Sequence, residues 1–204
     1  MLHADAIVSL HDELTSTWHS SANHSPEVAK PDWLARVGHQ HRANFDLWHI
    51  EDEARAPGAS DAALADVKRR IDQTNQLRND LAEDLDRALL DWLTPQSLPN
   101  PDAPLNSESP GLIIDRLSIL ALKIYHTREE ADRRDASAAH AERNRDRLRI
   151  LVEQRADLGH CLDLLWRDTL AGTRRFKLYR QMKMYNDPTL NPAIYRKFPL
   201  EPSR

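Results

Sequence analysis

The sequence predicts an all-α protein: a bundle of four long helices plus a shorter N-terminal helix, with an ordered C-terminal arm. Three observations predict it. Only 5 of the 204 residues are Gly, while Ala, Leu, Arg, Asp and Glu dominate, so the chain is rich in residues that favour helix. Apolar residues recur three and four apart, and runs of alternating β-branched residues are absent. Proline marks the segments between these runs, with five of the 12 prolines in residues 94–110, where they preclude helix and central strand. A chain of this length is one domain with appendages, read as a bundle over 1–172 and an arm over 173–204 packed on it.

The first helix covers about Ala4 to Trp18, with Ile7, Leu10, Leu14 and Trp18 on one stripe. Residues 20–31, with Ser, Asn and two Pro, form a loop. Asp32 caps a second helix that runs to about Ala56, where Pro57-Gly58 ends it. Its stripe is Leu34, Val37, His41, Phe45 and Trp48, and His41 reads as a hydrogen-bonded core residue. Ser60 or Asp61 starts a third helix that reaches Leu93, its apolar stripe broken by Thr74, Asn75 and Arg78. The proline-rich loop of 94–110 follows, long enough to cross the bundle and to cover a pocket. Ser109 is a plausible N-cap and Pro110 suits the first turn of a fourth helix, which runs to about Arg134. A break near Asp135–Ser137 is needed, because an unbroken helix of roughly 60 residues would be unusual in a globular domain. Ser137 caps a fifth helix that ends at Leu170, with Gly172 as its stop. The charged stretch 128–149 becomes a solvated hairpin tip. From Thr173 the chain interleaves basic and aromatic residues, then carries the turn signals of Asn186-Asp187-Pro188 and Asn191-Pro192.

Composition narrows the function. The longest apolar run, Leu117 to Leu122, is too short to span a bilayer, and the N-terminus lacks the basic start and apolar core of a signal peptide. These features point to a cytoplasmic protein that makes no use of a membrane. The single cysteine, Cys161, excludes an internal disulfide and reads as a buried apolar thiol. A net charge of −4 gives no case for nucleic acid.

The fourth helix is the centre of the reading. It is apolar on almost every face, which implies burial all round, yet it carries Asp115, Arg116, Ser118, Lys123 and His126. Buried charges must be paired or must bind something. Neighbouring helices add polar groups at mid-helix: His49, Glu51 and Asp52 on the second, and Asp72, Asn75 and Arg78 on the third. A di-iron centre would need paired Glu-x-x-His motifs. Asp157-Leu-Gly-His160 is the nearest approach, and one copy falls short. Mg²⁺ with a phosphorylated ligand fits better. Glu51, Asp52 and Asp72 would hold the metal, and Arg78, Arg116 and Lys123 the anion, with Asn75, Glu108 and Asp115 around it. His49 or His126 would serve as general acid–base. The competing reading is a structural network in which these charges neutralise one another.

Several long blocks carry a resemblance: Trp48-His49-Ile50-Glu51-Asp52, KRRIDQTNQLRNDL from Lys68, NSESPGLIIDRLSILALKIYH from Asn106, EQRADL from Glu153, and QMKMYNDPTLNP from Gln181. Together they resemble a bacterial family known as domain of unknown function 4254, over about Asn44 to Tyr195. One departure is Gly111-Leu112, where the family pattern has a small residue and then Trp. The resemblance implies an all-helical cytoplasmic bacterial protein in the setting of surface-sugar and glycosyltransferase genes, and supplies no reaction. The leading expectation is a buried polar pocket for a divalent metal such as Mg²⁺ and a nucleotide or sugar phosphate, with hydrolysis or transfer at phosphorus. The alternative is a non-catalytic accessory protein that binds a glycosyltransferase through residues 174–195, its polar core being structural.

Overall fold

The structure, a computed structural model, describes residues 2–20, 32–180, 182, 189, 190 and 192. The described residues form five α-helices: α1 (Ala4–Ser20), α2 (Asp32–Glu53), α3 (Asp61–Leu93), α4 (Pro110–Asp132) and α5 (Ala138–Leu170). A single 3₁₀ turn at Thr94–Gln96 follows α3. The fold is an all-α bundle, and no strand occurs among the described residues. Each helix sends its apolar stripe into one core: Ile7, Val37, Leu85, Ile114 and Leu162, one from each helix, are all 0% exposed. That shared burial is the main force holding the helices together.

The helix ends follow the local chemistry. Ser60 caps α3, accepting from the Ala63 N–H at 3.2 Å. Ser137 caps α5, accepting from the His140 N–H at 3.2 Å, so the break between the last two helices falls where the chain needs one. Gly172, at φ 71°, lies just beyond the end of α5 in the left-handed conformation that glycine adopts without strain. The 97–109 loop is pinned to the chain after α5. The Asn106 N–H donates to the Arg175 carbonyl at 2.7 Å, and the Arg175 N–H donates to the Pro104 carbonyl at 3.0 Å. Phe176, next in the arm, is buried in the core at 1% exposure. The arm beyond Arg180, with both Asn-Pro turn signals, lies outside the described residues apart from 182, 189, 190 and 192.

Two expectations need correction. The fourth helix is not buried all round: Arg116 and Lys123 are exposed. Most of the rest of the helix, including Ile113, Ile114, Asp115, Leu117 and Ser118, is closed. Cys161 is exposed on α5, because its turn of the helix faces a cleft and not the core.

The start of α4 is held by its neighbour. Ser109 makes no side-chain cap on α4. Its hydroxyl donates to Asp86 of α3, whose other oxygen accepts from the Gly111 N–H at 2.7 Å. Asp86 thus satisfies a first-turn donor that would otherwise be orphaned. Asp86 is 2% exposed. Burial pushes its pKa up from 3.8 to about 6, with Glu83 adding to the rise and the bonds from Ser109 and Gly111 opposing it. A carboxyl whose folded pKa exceeds its unfolded one stabilises the fold in acid and loses that contribution as pH rises through about 6. The shift corresponds to a loss of about 3 kcal/mol. Asp86→Asn keeps an acceptor for Gly111 and removes the charge. It should raise stability at pH 7.5 by ~1–3 kcal/mol, with the advantage fading near pH 4. Denaturant melts at the two pH values test this. A loss of stability at pH 7.5 would show that the anion at the α4 N-terminus outweighs its burial.

Candidate functional site

The polar groups of the bundle fall into three places. The first is a buried chain of hydrogen bonds across four helices. Arg78 of α3 forks onto Asp115 of α4, Nε at 2.7 Å and Nη2 at 2.5 Å. Asp115 also accepts from Gln40 at 2.6 Å and Asn44 at 3.0 Å, both on α2. The same Asn44 amide donates to the Ser118 hydroxyl at 2.9 Å, which is bonded to His41 Nδ1 at 2.7 Å. His41 Nε2 reaches the Thr15 hydroxyl on α1 at 2.8 Å. Burial lowers the His41 pKa to about 3 and holds that of His11, stacked on it at 4.5 Å, well below its usual value. Both rings are therefore neutral at pH 7. His41 is the hydrogen-bonded core residue its place on the stripe suggests.

The second place is the joint end of α1, α2 and α4, where His19, His49 and His126 meet. Each can offer a ring nitrogen lying within 4.8 Å of the other two. Among the described residues this is the one group of three or more His, Cys, Asp or Glu side chains with such convergence. Tyr125 stacks on His19 at 4.2 Å, and Trp48 on His126 at 4.9 Å.

The third is a cleft of about 940 Å³ between α4 and α5, closed at one end by Asn106–Glu108 of the pinned loop. Ile113, Leu120 and Leu158 are among its apolar lining; Arg116, Lys123 and Arg174 bring positive charge, and Glu108, Asp157 and Asp168 negative. Arg116 is paired with Glu108, Nη1 lying 2.8 Å from each carboxylate oxygen. A second cavity of about 460 Å³ continues along α4 and α5, sharing Lys123 and Gln154 with the first and reaching Trp48 and His126.

The residues singled out from sequence divide among these places. His49 and His126 come together, joined by His19. Arg78 and Asp115 meet in the buried chain. Glu108, Arg116 and Lys123 line the cleft. Asn75 is half-buried on α3 near Arg78. Glu51, Asp52 and Asp72 do not join in one metal-binding group. Glu51 and Asp52 each lie 3.3 Å from Arg55, and Asp72 pairs with Lys68. They sit on outward faces of α2 and α3, where a neighbouring cation four or three residues away neutralises them. Sequence alone did not single out His19, Gln40 or Thr15. His19 is one residue past Trp18 at the end of the first stripe. Its sequence signal is that adjacency alone.

The pattern of the family described as "Protein of unknown function (DUF4254)" matches residues 34–178. The chain belongs to this family. Curated proteins and solved structures give no match. The DUF4254 stretch begins inside α2 and ends beyond α5, so it contains the whole cleft, the Arg78–Asp115 pair, His49 and His126. Thr15 and His19 come from α1, ahead of it. Among the described residues no helix is long and apolar enough to cross a membrane.

Proposed function

We propose that this protein binds a phosphorylated small molecule, a nucleotide or sugar phosphate, in the α4–α5 cleft, and that hydrolysis or transfer at phosphorus is its reaction. The observation that carries this reading is the cleft itself, an apolar floor with Arg116, Lys123 and Arg174 on its walls. Guanidinium and ammonium groups recognise phosphate by charge-assisted hydrogen bonds. The carboxylates of Glu108, Asp157 and Asp168 in the same cleft favour a phosphate that carries Mg²⁺ over a bare anion. Mg²⁺ takes one or two carboxylates and completes its shell with water and phosphate oxygens. Among the described residues Lys123 has no ion-pair partner, so its ammonium is available to a ligand.

The test is a melting-shift screen of nucleotides and sugar phosphates with Mg²⁺. A ligand at 100 times its dissociation constant stabilises by about 2.7 kcal/mol, a rise of roughly 5–10 °C for a chain of this size. The Lys123→Ala, Arg174→Ala double variant should lower affinity by about 10- to 100-fold without changing the melting point of the ligand-free protein, since neither side chain is in the core. Absence of any shift across the screen, or a shift that survives in the double variant, would sink the proposal.

A further inference from the structure

We propose that His19, His49 and His126 bind one first-row transition-metal ion of the zinc type through Nε2 of each ring. This site is separate from any Mg²⁺ that arrives with a phosphorylated ligand, and it stands independently of that reading.

His19 Nδ1 donates to the Thr15 carbonyl at 2.7 Å, and His49 Nδ1 to the Phe45 carbonyl at 2.8 Å. His126 Nδ1 donates to the Glu129 carboxylate at 2.9 Å. Carbonyls and carboxylates accept only, so each ring carries its proton on Nδ1. In the neutral form of each ring this leaves the lone pair on Nε2. Nε2 of His19 and of His126 are both buried and have no hydrogen-bond partner among the described residues. One ring nitrogen of each His lies within 4.8 Å of the other two, and two of these rings hold a buried Nε2 with no donor facing it. A shared cation relieves that arrangement.

The surroundings match those of metal-bound histidine, which typically donates its other ring N–H to a carbonyl or carboxylate that fixes tautomer and orientation. All three rings have such a partner. Packing fixes them further: Tyr125 against His19, Trp48 against His126, and Phe45 against His49 at 4.3 Å. Tetrahedral nitrogens about 2.1 Å from zinc sit roughly 3.4 Å apart. The nitrogens here, within 4.8 Å of one another, close the difference by small ring rotations.

The donor set selects the ion. Imidazole suits zinc, cobalt, nickel and copper, whereas Mg²⁺ and Ca²⁺ require oxygen. Three protein ligands leave a fourth position for water or a ligand group, the pattern of a reactive rather than a purely structural site. His126 also lines the second cavity, so the metal group and the groove share one ring.

The experiment uses the tag-free protein stripped with chelator and titrated with Co²⁺ and Zn²⁺. One equivalent of Co²⁺ should bind with the visible bands of a four-coordinate ion and be displaced by Zn²⁺ but not by Mg²⁺. X-ray absorption on the zinc-loaded wild type should show three imidazole nitrogens in the first shell. His19→Ala, His49→Ala and His126→Ala should each weaken binding on the order of 100-fold or more, and Glu129→Gln about 10-fold. His160→Ala, at an exposed position on α5, should leave it unchanged. Lack of stoichiometric binding, an oxygen-dominated shell, or full affinity in the folded His49→Ala and His126→Ala proteins would each overturn the proposal. If a variant fails to fold, the absorption spectrum of the wild type still decides.

Discussion

Gly111→Ala should lower the unfolding free energy by about 3 kcal/mol or more, the sum of a steric term and a lost hydrogen bond. A β-carbon at position 111 would lie 2.3 Å from the Ala82 carbonyl oxygen and 2.9 Å from the Asp86 carboxyl carbon. The first obstacle is backbone and cannot rotate aside, so α4 must move off α3 by roughly 1 Å, which overpacking studies put at about 1–3 kcal/mol. That movement also stretches the bond from the Gly111 N–H to Asp86, a charge-assisted contact contributing about 1.5–3 kcal/mol. The expected fall in melting temperature is roughly 6–12 °C. Urea denaturation at pH 7.5 measures it. Ala82→Gly in the same chain should not restore stability, because it leaves the carbonyl in place. A change under about 1 kcal/mol would mean that the helices part freely here.

The second large effect is at Arg78. Arg78→Ala should cost about 3 kcal/mol, near the low end of what breaking a buried ion pair costs. The Asp115 side chain is 10% exposed and that of Arg78 is 23% exposed, so the carboxylate left behind is largely out of water. Gln40 and Asn44 still donate to it, which keeps the loss from being larger. Arg78→Lys keeps the charge and loses the fork, and should fall between the two. The Arg78→Met, Asp115→Asn pair should recover much of the loss, since replacing both charges spares the protein an unpaired one. If Arg78→Ala costs no more than Arg78→Lys, the fork is not what holds Asp115.

The bundle was legible in sequence because its signals are local. Helical periodicity, the caps at Ser60 and Ser137, the break before Ala138 and the stop at Gly172 each depend on residues within a turn or two. The candidate site was legible only where one helix carried it. Asp115 stood out as a charge on the most apolar helix, and Arg116 and Lys123 as a basic stripe beside it. What that stripe faced was not readable, because α4 presents apolar residues to both the core and the cleft wall. Groups assembled from separate helices left no local trace. His19 becomes a neighbour of His49 and His126 only when α1 ends beside them, and Asp86 caps a helix 24 residues later in the chain. Glu51, Asp52 and Asp72 show the converse: acidic residues at helical spacing pair locally with Arg55 and Lys68.

The buried chain from Arg78 to Thr15 has a consequence for how α4 can align. Its inner face is apolar on either side of Asp115 and Ser118, so apolar burial by itself offers little resistance to a slip of one helical turn along α2. It would set Ile119 where Asp115 now stands and Leu122 where Ser118 does. Gln40, Asn44 and His41 would then face hydrocarbon, each unpaired group costing about 1–3 kcal/mol. Against such a slip the polar chain adds a penalty that apolar burial does not, and so favours the present alignment.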